Sequence, residues 1–498
     1  MTSLLTLPVL GLLFGAALSL VFRRLAAQRA ISFASLALAL VCATTVFVRV
    51  WVDGEVQVAR MGGWPGSFAI TFVADRLSAV MLLVALAAVA LVLLYAIGQR
   101  APDERSSFYH PAYMVMCAGI AQALLAGDLF NLFVAFEILL MASYVLLTLE
   151  GTNEQIRAGT TYVVLNILES LILLMAIGFV FAATGTVNMA ELPERLAELP
   201  DGVRTGLQLF LLIAFGIKAA VFPLFFWLPD SYPTAPSSVS AVFAGLLTKV
   251  GVYCMIRTQT LLFPGEASDL IVVVGILTMV IGIIGAVSHQ DMKRILSFHI
   301  ISQIGYMVFG LGVGGEAAIA ATVFFLVHQI PVKTSLFLVE GIVSRDQGSS
   351  SLKEVSGLAR RSPWLAVLFL LPALSLAGLP PFPGFLAKFS LVRAGLEAEQ
   401  YVGVAVAIAV SLFTLVSMVK IWVAAFWGEA SPSSMASPGG VVTRGLLRHH
   451  RLMATSTAVM VVGIVALAVA AGPFFEFATE AAAQLLDITS YVSAVRSP

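Results

Sequence analysis

Charge is what this sequence has least of. Of its 498 residues only 11% are Asp, Glu, Lys or Arg, against roughly 25% in soluble domains, while 59% are hydrophobic. That balance excludes an ordinary soluble domain and implies a polytopic membrane protein. The 28 basic and 28 acidic residues cancel, so nothing points to nucleic-acid binding, and what matters is where the charges sit. Cysteine is scarce too: Cys42, Cys117 and Cys254 lie in apolar runs, lack metal-ligand spacing and read as small buried hydrophobes. No disulfide framework is expected. A phosphate-cradling Walker A loop, a CxxCH haem attachment, a nucleophile elbow and an EF-hand loop are all missing. The chain by itself is therefore expected neither to hydrolyse ATP nor to carry a redox centre, a cofactor or a metal.

What is abundant is apolar sequence in long runs. Counting stretches near the roughly 20 residues that a helix needs to cross the hydrocarbon core gives about fourteen spans. They cover approximately 3 to 22, 30 to 51, 75 to 98, 110 to 126, 128 to 149, 159 to 184, 204 to 228, 236 to 261, 269 to 288, 294 to 313, 317 to 344, 364 to 392, 403 to 427 and 452 to 473. The first run has no basic region before it and no small-residue cleavage site, so it reads as a retained span rather than a secretory signal. Loops after odd-numbered spans hold Arg23, Arg24, Arg29, Arg100, Arg105, Arg157, Lys293, Arg294, Arg345, Lys353, Arg360, Arg361, Arg444, Arg448 and Arg451. By the positive-inside rule that side is cytoplasmic and both termini lie outside. The loop from Val187 to Arg204, with Glu191, Glu194, Glu198 and Asp201, then falls outside, and Ser344 to Pro363 becomes a polar cytoplasmic loop.

Two spans are interrupted. The seventh is expected to break at Pro223, the twelfth at Pro380, Pro381 and Pro383, with Gly378 and Gly384 beside them. The breaks lie five spans apart, and an odd offset gives the two units opposite topology. Paired Pro/Gly-interrupted segments are a sequence sign of inverted repeats with a binding site between them. The neutral alternative is that Pro is simply common in membrane helices.

The few charges left inside the spans are the candidates for chemistry, because an intramembrane ionisable group is costly and usually faces protein or a hydrated path. Glu137 sits mid-span in DLFNLFVAFEILLMASYVLL, and Lys218 lies at a similar depth in its own helix, so the two are expected to approach. A lysine held by a movable carboxylate has a proton affinity that follows the carboxylate, which is what a coupled proton pump requires. Lys249, His328, Lys333 and Lys388 follow. Pro331, between His328 and Lys333, suggests a kink turning both toward one cavity. A relay and a hydrogen-bonded core histidine are both open for His328, as are a route and a snorkelling role for Lys388. Glu169 is either a packing partner of Asn166 or part of a proton path. Lys420, beside Trp422 and Trp427, reads as an interfacial anchor; His299, Ser302 and Tyr306 share one face of the tenth span; Asp128 and Asp230 sit near span ends, as helix caps or in contact with interface water.

These stretches together, FNLFVAFEILLMASY, FGIKAAVFPLFFWLPDSYPTAP, LLTKVGVY, HQDMKRILSFHIISQIGYM, HQIPVKTSLFL and LPPFPGFLAKF, resemble the proton-translocating antiporter-like family. That family is shared by the membrane arm of respiratory complex I and by multisubunit Mrp-type cation/proton antiporters. TGTVNMAEL and LPPFPGFLAKFSLVRAGLEAEQY look like its D-type Mrp branch, and lysine rather than glutamate at position 388 separates the chain from the complex I subunit it otherwise resembles. Glu169 and Pro331 match no feature of the family pattern.

The resemblance implies an all-α, fourteen-helix fold with two inverted five-helix repeats, each containing a broken helix. Its segments would be 1–105, helices one to three; 106–262, the first repeat; 263–430, the second repeat; and 431–498, a loop and the last helix. It further implies a proton route through Glu137, Lys218, Lys249, His328, Lys333 and Lys388, in a multi-pass subunit of a bacterial cell-membrane hetero-oligomer. The partners would be other antiporter subunits, the lipid bilayer, protons and Na+, with K+ or Li+ as alternatives. On this reading the chain is a secondary transporter subunit and not an enzyme. Two rival readings use the same residues: a proton-pumping subunit of a quinone- or ferredoxin-linked oxidoreductase, and a structural subunit whose proton path is vestigial.

Overall fold

The computed structural model describes residues 2–62, 70–99, 103–427 and 451–496. Arg100, Arg444, Arg448 and the stretch 431–450 of the last expected segment lie outside these residues. In chain order the elements are α1 (Thr2–Val21), α2 (Leu25–Asp53), strands β1 (Gln57–Arg60) and β2 (Thr71–Ala74), α3 (Arg76–Gln99), α4 (Tyr109–Leu125), α5 (Leu129–Thr148) and α6 (Asn153–Thr184). A short α7 (Leu192–Ala197) precedes α8 (Asp201–Ala219), α9 (Trp227–Ser231), α10 (Ser237–Val242) and α11 (Thr248–Leu261), the last two joined by a π-helical turn at Phe243–Leu247. Then come α12 (Ser268–Ser288), α13 (Met292–Val313), α14 (Gly315–Gln347), α15 (Leu358–Arg361), α16 (Pro363–Ala377), α17 (Pro383–Glu397), α18 (Tyr401–Ile421), α19 (Arg451–Val469), α20 (Ala471–Leu486) and α21 (Ile488–Arg496).

Helices dominate for a solvent reason: in hydrocarbon a backbone must bond to itself, and a helix does so within one segment. Among the described residues, 12 helices are long and apolar enough to span a bilayer. Two of the fourteen spans expected from sequence differ from that description. α4 has 17 residues, and the twelfth span is two helices of 15 residues each. The closely abutting fourth and fifth spans are separated by a turn at Ala126–Asp128, where the Asp128 side chain accepts a hydrogen bond from Asn131 N and caps α5. Asp230 is exposed within α9 and not at a helix cap, which leaves the other expected role, contact with water.

Segments after even-numbered spans meet on one face. β1 pairs antiparallel with β2, Phe72 bridges Ala126, and Asp128 bridges Asn188. α20 and α21 close over this face, where Arg76 pairs with Glu480, Gln484 Nε2 donates to Gly54 O at 3.0 Å, and Arg496 pairs with Glu194 at 2.7 Å. At the opposite face Glu104 takes two hydrogen bonds from Arg29, at 2.8 and 2.7 Å, and its Oε1 lies 3.1 Å from His110 Nε2. Burial works against the Glu104 carboxylate, but His110 and Arg29 more than offset it and hold its pKa down at about 2.

Three segments form the centre. The spans Ser237–Leu261, Met292–Val313 and Gly315–Gln347 are almost wholly buried along their most apolar stretches, and they carry Lys249, His299, His328 and Lys333. Small residues bring the backbones together: Gly275, Gly282, Gly305 and Gly312 each face the backbone of the partner helix across the α12–α13 contact.

Candidate functional site

α8 stops one residue after Lys218, at Ala219. Ala220 takes a left-handed conformation at φ 59°, and Pro223 follows three residues later. The carbonyl of Ile217 accepts from Ala220 N at 3.1 Å and from the Trp227 indole at 3.0 Å, so the break is sealed by its own chain. Lys218, only 1% exposed, turns toward α6. Its Nζ lies 3.3 Å from Asn166 Oδ1, 3.9 Å from Glu169 Oε2 and 5.3 Å from the centre of the Phe136 ring.

The partner expected from sequence was Glu137. Glu137 does lie in this neighbourhood, within electrostatic reach of Glu169, but forms no ion pair with Lys218, and its Oε1 is buried without a hydrogen bond. Glu169 takes that place because α6 packs along α8 and delivers both Asn166 and Glu169, three positions apart on one helical face, to the lysine. Asn166 is itself held by donation to Tyr162 O at 2.7 Å.

α11 rests on this break. A side chain at Gly251 would strike the backbone of Lys218 and Ala219, so only glycine allows the approach. Lys249, two residues earlier, reaches no carboxylate. Its Nζ donates to Ala244 O at 2.5 Å, beside Thr248 Oγ1 at 3.4 Å. The π-helical turn loosens the regular ladder there, a feature common at functional sites. On the same seam Gly245 lies against Thr334 of α14. The neighbouring Lys333 is fully buried, and its Nζ has no hydrogen-bond partner.

α14 continues as one helix through Pro331, with His328 and Lys333 both inside it. Five positions of regular helix separate them by about 140°. His328 Nε2 lies 2.8 Å from Ser375 Oγ near the end of α16. The second break follows: Gly378 takes φ 83°, with Pro381 three residues on, the spacing of Ala220 and Pro223. Lys388 reaches back from α17 to the end of α16, 3.0 Å from Leu376 O, 3.3 Å from Ala377 O and 3.2 Å from Ser411 Oγ, with Tyr306 beneath at 4.9 Å. An ammonium at a helix C-terminus meets the negative end of its dipole. Both breaks thus carry a lysine, from the first half-helix in one and the second in the other. His299 Nε2 lies 3.0 Å from Ser417 Oγ on α18, and Lys420 donates to Val287 O and His289 O at the end of α12.

Two buried groups were missed by the sequence reading. Asp75 and Arg257 form a pair at 2.6 Å with both side chains at most 5% exposed, and Tyr491 of α21 stacks on the guanidinium at 5.4 Å. Glu340, fully buried near the far end of α14, accepts from Ser350 Oγ at 2.6 Å and Ser237 Oγ at 3.3 Å. Its signal was available, seven positions after Lys333, but it sits where the span gives way to polar loop.

The family described as NADH:quinone oxidoreductase/Mrp antiporter, TM, matches residues 126–414. The chain belongs to that family. It is 40% identical to the D-type subunit of the Na(+)/H(+) antiporter of Alkalihalophilus pseudofirmus, over 99% of both chains. It also resembles a chain of the Mrp complex from Dietzia sp. DQ12-45-1b, with TM-score 0.92 and 34% identity over 100% of this chain and 99% of that one. A chain of respiratory complex I from Thermus thermophilus shares the fold at TM-score 0.81 and 24% identity, covering 97% and 99%. Within the family this chain is a multi-pass membrane protein whose matched region contains every lysine described above except Lys420.

Proposed function

We propose that this chain is the proton-carrying subunit of a multisubunit Na+/H+ antiporter, working as a secondary transporter among other membrane subunits. The observation that carries the reading is the row of buried lysines at Lys218, Lys249, Lys333 and Lys388, strung along contiguous helices between two matching breaks. Uncompensated charge in a membrane interior is expensive, and a row of it has one evident use. In the proposed cycle the charge on Lys218 responds to Glu169 and Glu137. That change is passed electrostatically to Lys249 and Lys333, and His328 joins the row to Lys388. The repeat reading, helices four to eight and nine to thirteen, draws support from the common spacing of the left-handed residue and proline in both breaks. The positive-inside rule assigns the face with loop 344–363 to the cytoplasm and both termini to the outside.

A pumping subunit of a redox-linked complex would use the same lysines, and the shared fold does not separate the two readings. The 40% identity to an antiporter subunit over the full chain favours antiport. The test is Lys218→Ala and Glu137→Ala in the assembled complex, with sodium-driven proton movement followed in everted vesicles and assembly followed on native gels. Both variants are expected to assemble and to lose antiport; normal transport by assembled variants would overturn the reading.

A further inference from the structure

Glu340 is a fully buried carboxylate that the route above does not use. It lies on the seam between α14 and the α10–α11 segment that also carries Lys249 and Lys333. The two helices run antiparallel there: Gly341 abuts Ser237 at one end, and Gly245 abuts Thr334 further in. Seven positions separate Lys333 from Glu340, two helical turns on one face and about 10 Å of rise. Lys333 Nζ and Thr334 Oγ1 are both buried without partners.

The outer end of the seam is in contact with solvent. Ser350, which donates to Glu340 at 2.6 Å, is partly exposed on the loop after α14. Its position is fixed by the backbone, since Met292 N donates to Ser350 O at 2.9 Å and Asp291 bridges Ser351. The titratable and charged groups around Glu340 are Tyr95 of α3, Asp291 and Lys293 at the start of α13, and Arg345 of α14. Lys293 is engaged with Ala235 O at 3.2 Å and forms no ion pair with Glu340.

We propose that Glu340 is the proton-loading carboxylate of this seam. It accepts a proton from water at Ser350 and passes it inward to the Lys333 amine, which becomes the ammonium while Glu340 returns to the carboxylate. The separation exceeds one hydrogen bond, so water carries the intermediate hops, and Thr334 Oγ1, buried without a partner beside Lys333, supplies a polar seat for them.

This deepens the antiport reading and rests on it. The test uses the whole complex in everted vesicles with Glu340→Gln, Glu340→Asp and Lys218→Ala. Glutamine keeps the size and still accepts from Ser350 and Ser237 but carries no proton. Glu340→Gln is expected to assemble normally and to lose about a hundredfold in antiport rate. Glu340→Asp is expected to restore part of that rate with a displaced pH profile. Wild-type rate and pH profile in Glu340→Gln would overturn the proposal, as would an assembly failure in Glu340→Gln with an equal loss in assembled Glu340→Asp. Transport retained in Lys218→Ala would instead sink the antiport route itself.

Discussion

Which glutamate is the counter-charge of Lys218 can be decided by stability alone. Lys218 Nζ and Glu169 Oε2 are 3.9 Å apart, with side-chain exposures of 2% and 0%. At that distance and an effective dielectric of about 20 the attraction is about 4 kcal/mol. Lys218→Met leaves Glu169 stranded, and Glu169→Gln leaves the ammonium with only Asn166 and the Phe136 ring. Each is expected to destabilise the subunit by about 3–5 kcal/mol. The double variant removes both charges from the interior and is expected to be more stable than the sum of its parts predicts, with a coupling of about 1–3 kcal/mol. The assay is the melting temperature of the purified complex at neutral pH for the wild type, each single variant and the double. Glu137, which makes no ion pair with Lys218, serves as the comparison: Lys218→Met with Glu137→Gln should show the weaker coupling. Additive losses for the Glu169 pair beside strong coupling for the Glu137 pair would refute the assignment.

Two further outcomes follow from the connecting segments. Burial, with Glu150 adding to it, pushes the Asp103 carboxyl up to about 6. A folded pKa above the unfolded value of about 3.9 gives a contribution present in full below that value and lost as pH rises through the folded one. Asp103→Asn should therefore match the wild type in acid and exceed it in stability by up to about 3 kcal/mol above neutrality; parallel stability curves across pH would contradict this. In the second break, a side chain at Gly384 would run into Ser375 O and crowd His328 Cε1 at 3.0 Å. Gly384→Ala should cost about 1–3 kcal/mol and lower the melting temperature, and an unchanged melt would show that α16 and α17 can move apart freely.

Much of the fold was legible because lipid imposes a simple rule on sequence. Long apolar runs had to be helices, and the Pro and Gly clusters had to mark breaks, so the interruptions at Pro223 and Pro381 stood out. The lysines were legible for the same reason, as charges in apolar surroundings. What periodicity could not supply was the packing of one helix against another. Glu137 and Glu169 are both mid-span acids, and only the placement of α6 along α8 sets Glu169 nearest Lys218. Pro331 lies inside α14, but only the packing of α14 against α16 sets His328 beside Ser375. The β1–β2 pairing and the closure by α20 and α21 depend on contacts between distant segments, as does the Asp75–Arg257 pair, so no local pattern announced them.

The lysines differ in the kind of seat they occupy. Lys249, Lys388 and Lys420 are held by backbone carbonyl oxygens, whereas Lys218 faces a carboxylate. A carbonyl is a dipole fixed in the fold: it gains or loses no charge, and a neutral amine can still donate to it. A lysine so seated can shed its proton without stranding an opposite charge in the membrane. Lys218 has no such independence, because whatever happens to its proton leaves Glu169 to be answered. The row therefore contains one ionic anchor, Lys218, and two dipolar berths, Lys249 and Lys388, and it is at the anchor that the charge of one residue is tied to the fate of another.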